Sequence, residues 1–260
     1  MPDAPPQTFS HYPAAPPPVK VSLATVGDQP CSYLPGRVST SRAAWADQIP
    51  GELYHRFMEA GFRRSGKVLY QPACRGCRAC QSIRVPVSSF QPSKSQRRSR
   101  RGNQDLVVSV HEPLPTDEKF DLYRRFLAGR FARDDGAGDD RREAFEQFLY
   151  DSPVETVEFC YRNAAGALLA VGICDVCAES LSSVYFYHDP AESRRGLGTF
   201  GALREIEAAT ELGIPYYLLG FWVPGCGAME YKASFGPYEV LCPDGVWRPP
   251  GPADAIQYEE

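Results

Sequence analysis

LSSVYFYHDPAESRRGLGTFGALREIEAATELGIPYYLLGF, residues 181–221, joins a strand-length apolar run, a Gly-rich turn, a helix and a second apolar run in immediate succession. The helix places Phe200, Leu203, Ile206 and Ala209 on one side at the helical period and stops at Gly213. The flanking runs, 181–187 and 216–221, are too short and too apolar for anything but buried strands. Working outward, two more strand-length runs, 154–161 and 168–177, precede this unit and are set off by Asn163, Gly166 and Glu179. Before them come a strand at 106–110, a helix at 117–129, an acidic loop at 134–140 and a helix at 141–150. A short helix near Met229 and a strand near Tyr238 follow.

That order of elements resembles an N-acetyltransferase-type (GNAT) acyltransferase domain, expected here over residues 104–250. In its Gly-rich turn, Arg194, Arg195, Gly196 and Gly198 lead into a helix N-terminus, where unpaired amides and the helix dipole favour a phosphate. The fingerprint of such domains carries Arg or Gln three residues before the first Gly, and here that place is Ser193. No coenzyme A is therefore expected.

Residues 19–103 read differently. A strand-like start at Val19 leads to a Pro-flanked turn at 30–36, a helix at 50–60 and a cysteine loop, followed by a strand at 83–87 and a basic segment at 92–102. In the loop, Cys74, Cys77 and Cys80 stand at x2 spacing, with Gly76 available for the positive φ of a chain reversal and Cys31 far upstream. Together they form a soft-metal ligand set suited to zinc or an iron–sulfur cluster, and the polar loop around them, with Arg75 and Arg78, is no core strand. Cys174 and Cys177 share the x2 spacing but fall in an expected strand, so they read as core thiols. His11, His55, His111 and His188 are scattered and form no hydrolytic pattern. The whole is an α+β chain of two domains: an N-terminal Cys-bearing domain and the GNAT-like one. A disordered Pro-rich leader is expected at 1–18 and a tail at 251–260.

The 260 residues carry a formal charge of −4, which argues against a general nucleic-acid binder. Its distribution points elsewhere. Arg63, Arg64, Lys67, Arg75, Arg78, Arg84, Lys94, Arg97, Arg98, Arg100 and Arg101 crowd one segment, and a local field of this kind attracts a polyanion over a Debye length. Nine cysteines do not pair off, the start lacks a secretory pattern, and no apolar run is long enough to cross a bilayer. A reducing cytoplasm and no membrane partner are expected.

Several blocks in one order resemble the aminoacyl-tRNA-protein transferase family, in its bacterial leucyltransferase branch. They are Cys31-Ser-Tyr-Leu-Pro35, Gly61-Phe-Arg-Arg-Ser-Gly66, Tyr70-Gln-Pro-Ala-Cys74 with Cys77 and Cys80, Ser93-Lys-Ser-Gln-Arg-Arg98, and Met229-Glu-Tyr-Lys-Ala-Ser-Phe235 after Gly220-Phe-Trp222 and Cys226. The resemblance implies transfer of an amino acid, leucine in this branch, from aminoacyl-tRNA to the N-terminal amine of proteins that begin with Asp or Glu, marking them for degradation. An aminoacyl ester is already activated, so such an enzyme needs alignment and charge stabilisation more than a covalent intermediate. On that reading Lys94, Arg97, Arg98, Arg100 and Arg101 contact the tRNA backbone. Arg63, Arg64 and Lys232 are the candidate partners for the acidic side chain, and Tyr231 and Lys232 are the candidate catalytic pair. Two other readings stay open: a coenzyme A dependent N-acetyltransferase, and a non-catalytic, metal- or redox-responsive RNA-binding module.

Overall fold

A computed structural model describes residues 21–131 and 140–251. The leader expected at 1–18, most of the acidic loop and all but Gly251 of the tail lie outside the described residues. Two sheets organise the chain. The smaller has four antiparallel strands, β1 (Ala24–Pro30), β2 (Val38–Trp45), β3 (Arg63–Ser65) and β4 (Val68–Pro72), in the order β1-β2-β4-β3. Helix α1 (Gly51–Glu59) buries Tyr54, Phe57 and Met58 in a cluster that includes Leu69 of β4 and also Cys177 and Leu218 from the second sheet's side. That shared cluster seats one sheet on the other.

The larger sheet contains β5 (Gln81–Pro86), β6 (Val107–His111), β7 (Thr156–Arg162), β8 (Leu168–Val176), β9 (Ser180–His188), β10 (Tyr216–Trp222), β11 (Glu239–Leu241) and β12 (Trp247–Arg248). Their order is β12-β11-β5-β10-β9-β8-β7-β6. Strand alternation sorts its side chains onto two faces: Phe159, Tyr161 and Cys174 pack under helix α5 (Leu197–Glu211), while Cys160, Val171 and Ile173 pack under α3 (Asp117–Phe131) and α4 (Arg142–Phe145). Phe200, Leu203, Ile206 and Ala209 of α5 are all buried, as their period requires. Gly201 lets the helix approach, because a Cβ there would come within 2.2 Å of the Phe186 ring.

Among the described residues only β9 and β10 run parallel, and they pair over just three positions, from Tyr216↔Ser180 to Leu218↔Ser182. Beyond Leu218 the two strands part. β10 follows β5 through a bulge between Leu218 and Phe221, with Gly220 at φ 80°, while β9 stays with β8. Residues 183–186 of this interior strand are half-buried, so the sheet opens here. Ligand sites in sheets favour such a divergence of neighbouring strands.

The α+β class matches the sequence expectation, and Cys174 and Cys177 are buried core thiols. Two features differ from it. β5 pairs with β10 and β11 of the large sheet, so the division at residue 103 does not follow the sheets, whose exchange falls near residue 80. The basic segment is a true helix, α2 (Lys94–Gly102), closed by a capping box between Ser93 and Gln96. Among the described residues no helix is long and apolar enough to cross a membrane.

Candidate functional site

Helix α2 and the Gly-rich turn face one another across a groove of about 690 Å³ lined by Ser95, Arg98, Ser99, Arg194, Gly196, Thr199 and Ser234, among others. Short polar side chains hold the two elements together. Ser99 Oγ donates to the Gly196 carbonyl at 3.3 Å, and Asn103 Nδ2 donates to the Arg195 and Ser99 carbonyls, each at 2.9 Å. Gly196, at φ 64°, turns the chain into α5, whose N-terminus has no side-chain cap. A Cβ on Gly198 would meet only open space, so that glycine is not demanded by packing.

The basic side chains divide into structural and available sets. Arg195 grips Asp105 at 2.9 and 3.0 Å and Glu192 at 2.8 Å, and its hydrogen bonds hold the Asp105 carboxyl below the usual range. Arg97 donates to the Pro92 carbonyl, and Arg100 pairs with Glu207 at 3.2 Å. Lys94, Arg98, Arg101 and Arg194 are exposed and have no carboxylate partner among the described residues. Positive charge on both walls, beside uncapped helix amides, makes the groove a fit for a phosphodiester chain.

At the sheet opening two cations meet on one strand. Lys232 is buried and its Nζ donates to the Phe221 carbonyl at 2.6 Å. Arg63, also buried, donates to the Gly220 carbonyl at 3.5 Å and to the Phe62 carbonyl at 2.7 Å, with its guanidinium 5.6 Å from the centre of the Phe221 ring. Tyr70 packs edge-on against Phe221 at 6.0 Å. Tyr231, next to Lys232, is half-exposed. The third candidate is corrected: Arg64 has no exposed side-chain surface and makes a two-point pair with Asp175 at 2.6 and 2.7 Å, reinforced by Tyr54 and Thr156. It braces the two sheets and leaves the binding set.

Cys31, Cys74, Cys77 and Cys80 gather close enough for Cys80 to feel the other three, and Cys226, at the start of α6 (Gly227–Glu230), belongs to the same group. Burial first, then these neighbouring thiols, push the Cys80 thiol up to about 12. Gly76 has φ 65°, and Cys74 Sγ accepts from the Thr40 amide at 3.4 Å. Donor chemistry suits a soft metal, yet among the described residues no three His, Cys, Asp or Glu side chains stand in a metal-holding arrangement. The sequence reading gave no role to Gln96 or Cys226, although both fall in its matched blocks, nor to Ser99 or Asn103. The Ser93-x-x-Gln96 spacing is a capping-box signal that was there to be read.

Known proteins agree along most of the chain. Family models described as "Arginine-tRNA-protein transferase, N terminus" and "Arginine-tRNA-protein transferase, C terminus" match residues 29–98 and 118–242. A protein of Methylobacterium sp. (strain 4-46) named "Aspartate/glutamate leucyltransferase" is 41% identical over 229 residues, covering 83% of this chain and 91% of its own length. Proteins of the same name from Halorhodospira halophila and Thiobacillus denitrificans are 39% and 38% identical, covering 88% and 91% of this chain and 97% and 98% of their own. Among solved structures, one titled "Crystal structure of FemX" aligns with a TM-score of 0.48 at 9% identity, over 85% of this chain and 86% of that one.

Proposed function

The chain belongs to the arginine-tRNA-protein transferase family, and we infer from its leucyltransferase relatives that it moves leucine from leucyl-tRNA to the N-terminal α-amine of proteins beginning with Asp or Glu. It is an aminoacyltransferase, and its products carry a degradation signal in the N-degron sense. The observation that carries the site assignment is the groove joining the basic helix, the Gly-rich turn and Ser234, two residues beyond Lys232.

In the proposed arrangement the acceptor end of the tRNA lies in the groove. Lys94, Arg98 and Arg194 meet its phosphates, the first turn of α5 after Gly196, with Gly198, presents amides, and Arg97 and Arg195 hold the walls. Arg63 and Lys232 supply the positive charge that selects an acidic first side chain at the sheet opening. The acceptor nitrogen attacks the leucyl carbonyl carbon. A C–N bond forms as the C–O bond to the ribose breaks, and the amine's proton passes to the departing ribose oxygen. An α-amine of pKa about 7.7 to 8.0 is partly neutral near pH 7, so desolvation and alignment suffice without a strong base. On this reading Tyr231, beside Lys232, donates to the ester oxygen as charge develops.

Three coarser expectations complete the reading. The opening between β9 and β10, with α5 beside it, supports a GNAT-like transfer domain. The cytoplasm, where charged tRNA resides, is the proposed location. The gathered thiols support a zinc or iron–sulfur site at Cys31, Cys74, Cys77 and Cys80, which would hold the loop together without entering the transfer step. The deciding experiment supplies labelled leucyl-tRNA with peptides that begin with Asp, Glu or Ala. Label is expected on the first two, and equal labelling of all three overturns the reading.

A further inference from the structure

We propose that Gln96 is a positioning residue that couples the tRNA-facing helix to the turn bearing Lys232, an inference that rests on the leucyl-transfer reading of this site. Gln96 sits in the first turn of α2 and is 2% exposed. Its Oε1 accepts the Ser93 amide at 2.8 Å, closing the capping box. Its Nε2 donates to the Ser234 carbonyl at 3.1 Å, across 138 residues of sequence.

Ser234 ends the tight turn Tyr231–Ser234, which carries Lys232. That turn is tied at the same end by Ser234 Oγ donating to the Tyr231 carbonyl at 2.6 Å and by the Phe235 amide donating to the Lys232 carbonyl at 3.3 Å. Phe235 in turn stacks on Phe90, just before α2, with ring centres 6.3 Å apart. The other end of α2 is fixed to the Gly-rich turn through Ser99 and Asn103. α2 is thus a bracket: its outer face carries Lys94, Arg98 and Arg101, and its inner face fixes Lys232 relative to the groove.

The residue type argues for more than capping. Glu serves the third position of a capping box as well as Gln and suits the helix dipole better. Only Gln brings an N–H donor to the Ser234 carbonyl. The donor is therefore what the position requires, and its effect should appear on the acceptor substrate although Gln96 belongs to the tRNA-binding helix.

Gln96→Glu keeps the capping acceptor and removes the donor. With leucyl-tRNA and a peptide beginning with Asp, we expect KM for leucyl-tRNA to stay within about twofold while kcat/KM for the peptide falls about tenfold or more. Ser93→Ala, which weakens the cap and leaves the Ser234 contact, should lower the melting temperature and leave the peptide parameters within about twofold. If the buried carboxylate of Gln96→Glu prevents folding, Gln96→Met removes donor and capping acceptor together without charge, and Ser93→Ala then serves as the control for the weakened cap. Peptide parameters that match wild type, a loss confined to KM for leucyl-tRNA, or equal losses in the Ser93 and Gln96 variants would each overturn the coupling alone. Wild-type protein that transfers no leucine ends the underlying reading and the coupling with it.

Discussion

The Arg64 guanidinium of the small sheet and the Asp175 carboxylate of the large one meet at 2.6 and 2.7 Å with neither side chain exposed. Removing one charge from such a pair strands the other in a low-dielectric interior. Asp175→Asn is expected to destabilise the protein by about 3–5 kcal/mol, read from urea unfolding. A loss near zero would show that water reaches the pair.

Lys232→Met should lower kcat/KM for a peptide beginning with Asp by about 100-fold, the scale of losing a buried charged hydrogen-bond partner. Arg63→Met should act in the same direction. In both variants the preference for Asp over Asn at the peptide N-terminus is expected to shrink. An unchanged preference would place the acid-binding charge elsewhere.

Arg98→Ala and Arg194→Ala should weaken leucyl-tRNA binding with little effect on the peptide. Each should also reduce the slope of log affinity against log salt by about 0.7 to 0.9, one phosphate's worth of counterion release. Titrations across a salt series check this, and an unaltered slope assigns the phosphates to other side chains.

Glu205 on α5 is fully buried, accepts the Tyr217 hydroxyl, and has its carboxyl raised to about 7 by desolvation. Because the folded-state value lies above the unfolded one, the native state holds the extra proton between about pH 4.5 and 7, and stability falls as pH rises through that window. Glu205→Gln should therefore be more stable to unfolding than wild type at pH 8, by up to about 3 kcal/mol, with the gap closing toward pH 5. A gap independent of pH would mean that the carboxyl does not titrate in this window.

Anaerobically purified protein is expected to contain zinc, or iron with sulfide, and to lose it when Cys77 and Cys80 are both Ser. Metal analysis of the two preparations decides this, and equal content rejects the site at these cysteines.

Periodicity made α1 and α5 legible, because each repeats its apolar residues against a buried face, and the strands at 154–187 were legible as apolar runs of strand length, β8 being buried on both faces. The motif blocks led to Arg63 and Lys232, and the order of elements led to the Gly-rich turn. What stayed hidden was partnership across the chain. Nothing local in Gly61-Phe-Arg-Arg-Ser-Gly66 tells which arginine faces the sheet opening and which meets Asp175, although the alternation of a strand guarantees that neighbours diverge. Likewise Pro92 to Gly102 has almost no apolar residue to mark a helix, and only the cap at Ser93 signals it.

Because β5 lies between β10 and β11, a strand finished by residue 86 finds its neighbours only from residue 216 onward. On the ribosome its Ile83 and Val85, wholly covered in the finished protein, must wait without partners while some 130 further residues emerge. The nascent chain thus carries an uncovered apolar strand until β10 and β11 arrive, and a premature stop before Tyr216 leaves a sticky, incompletable sheet.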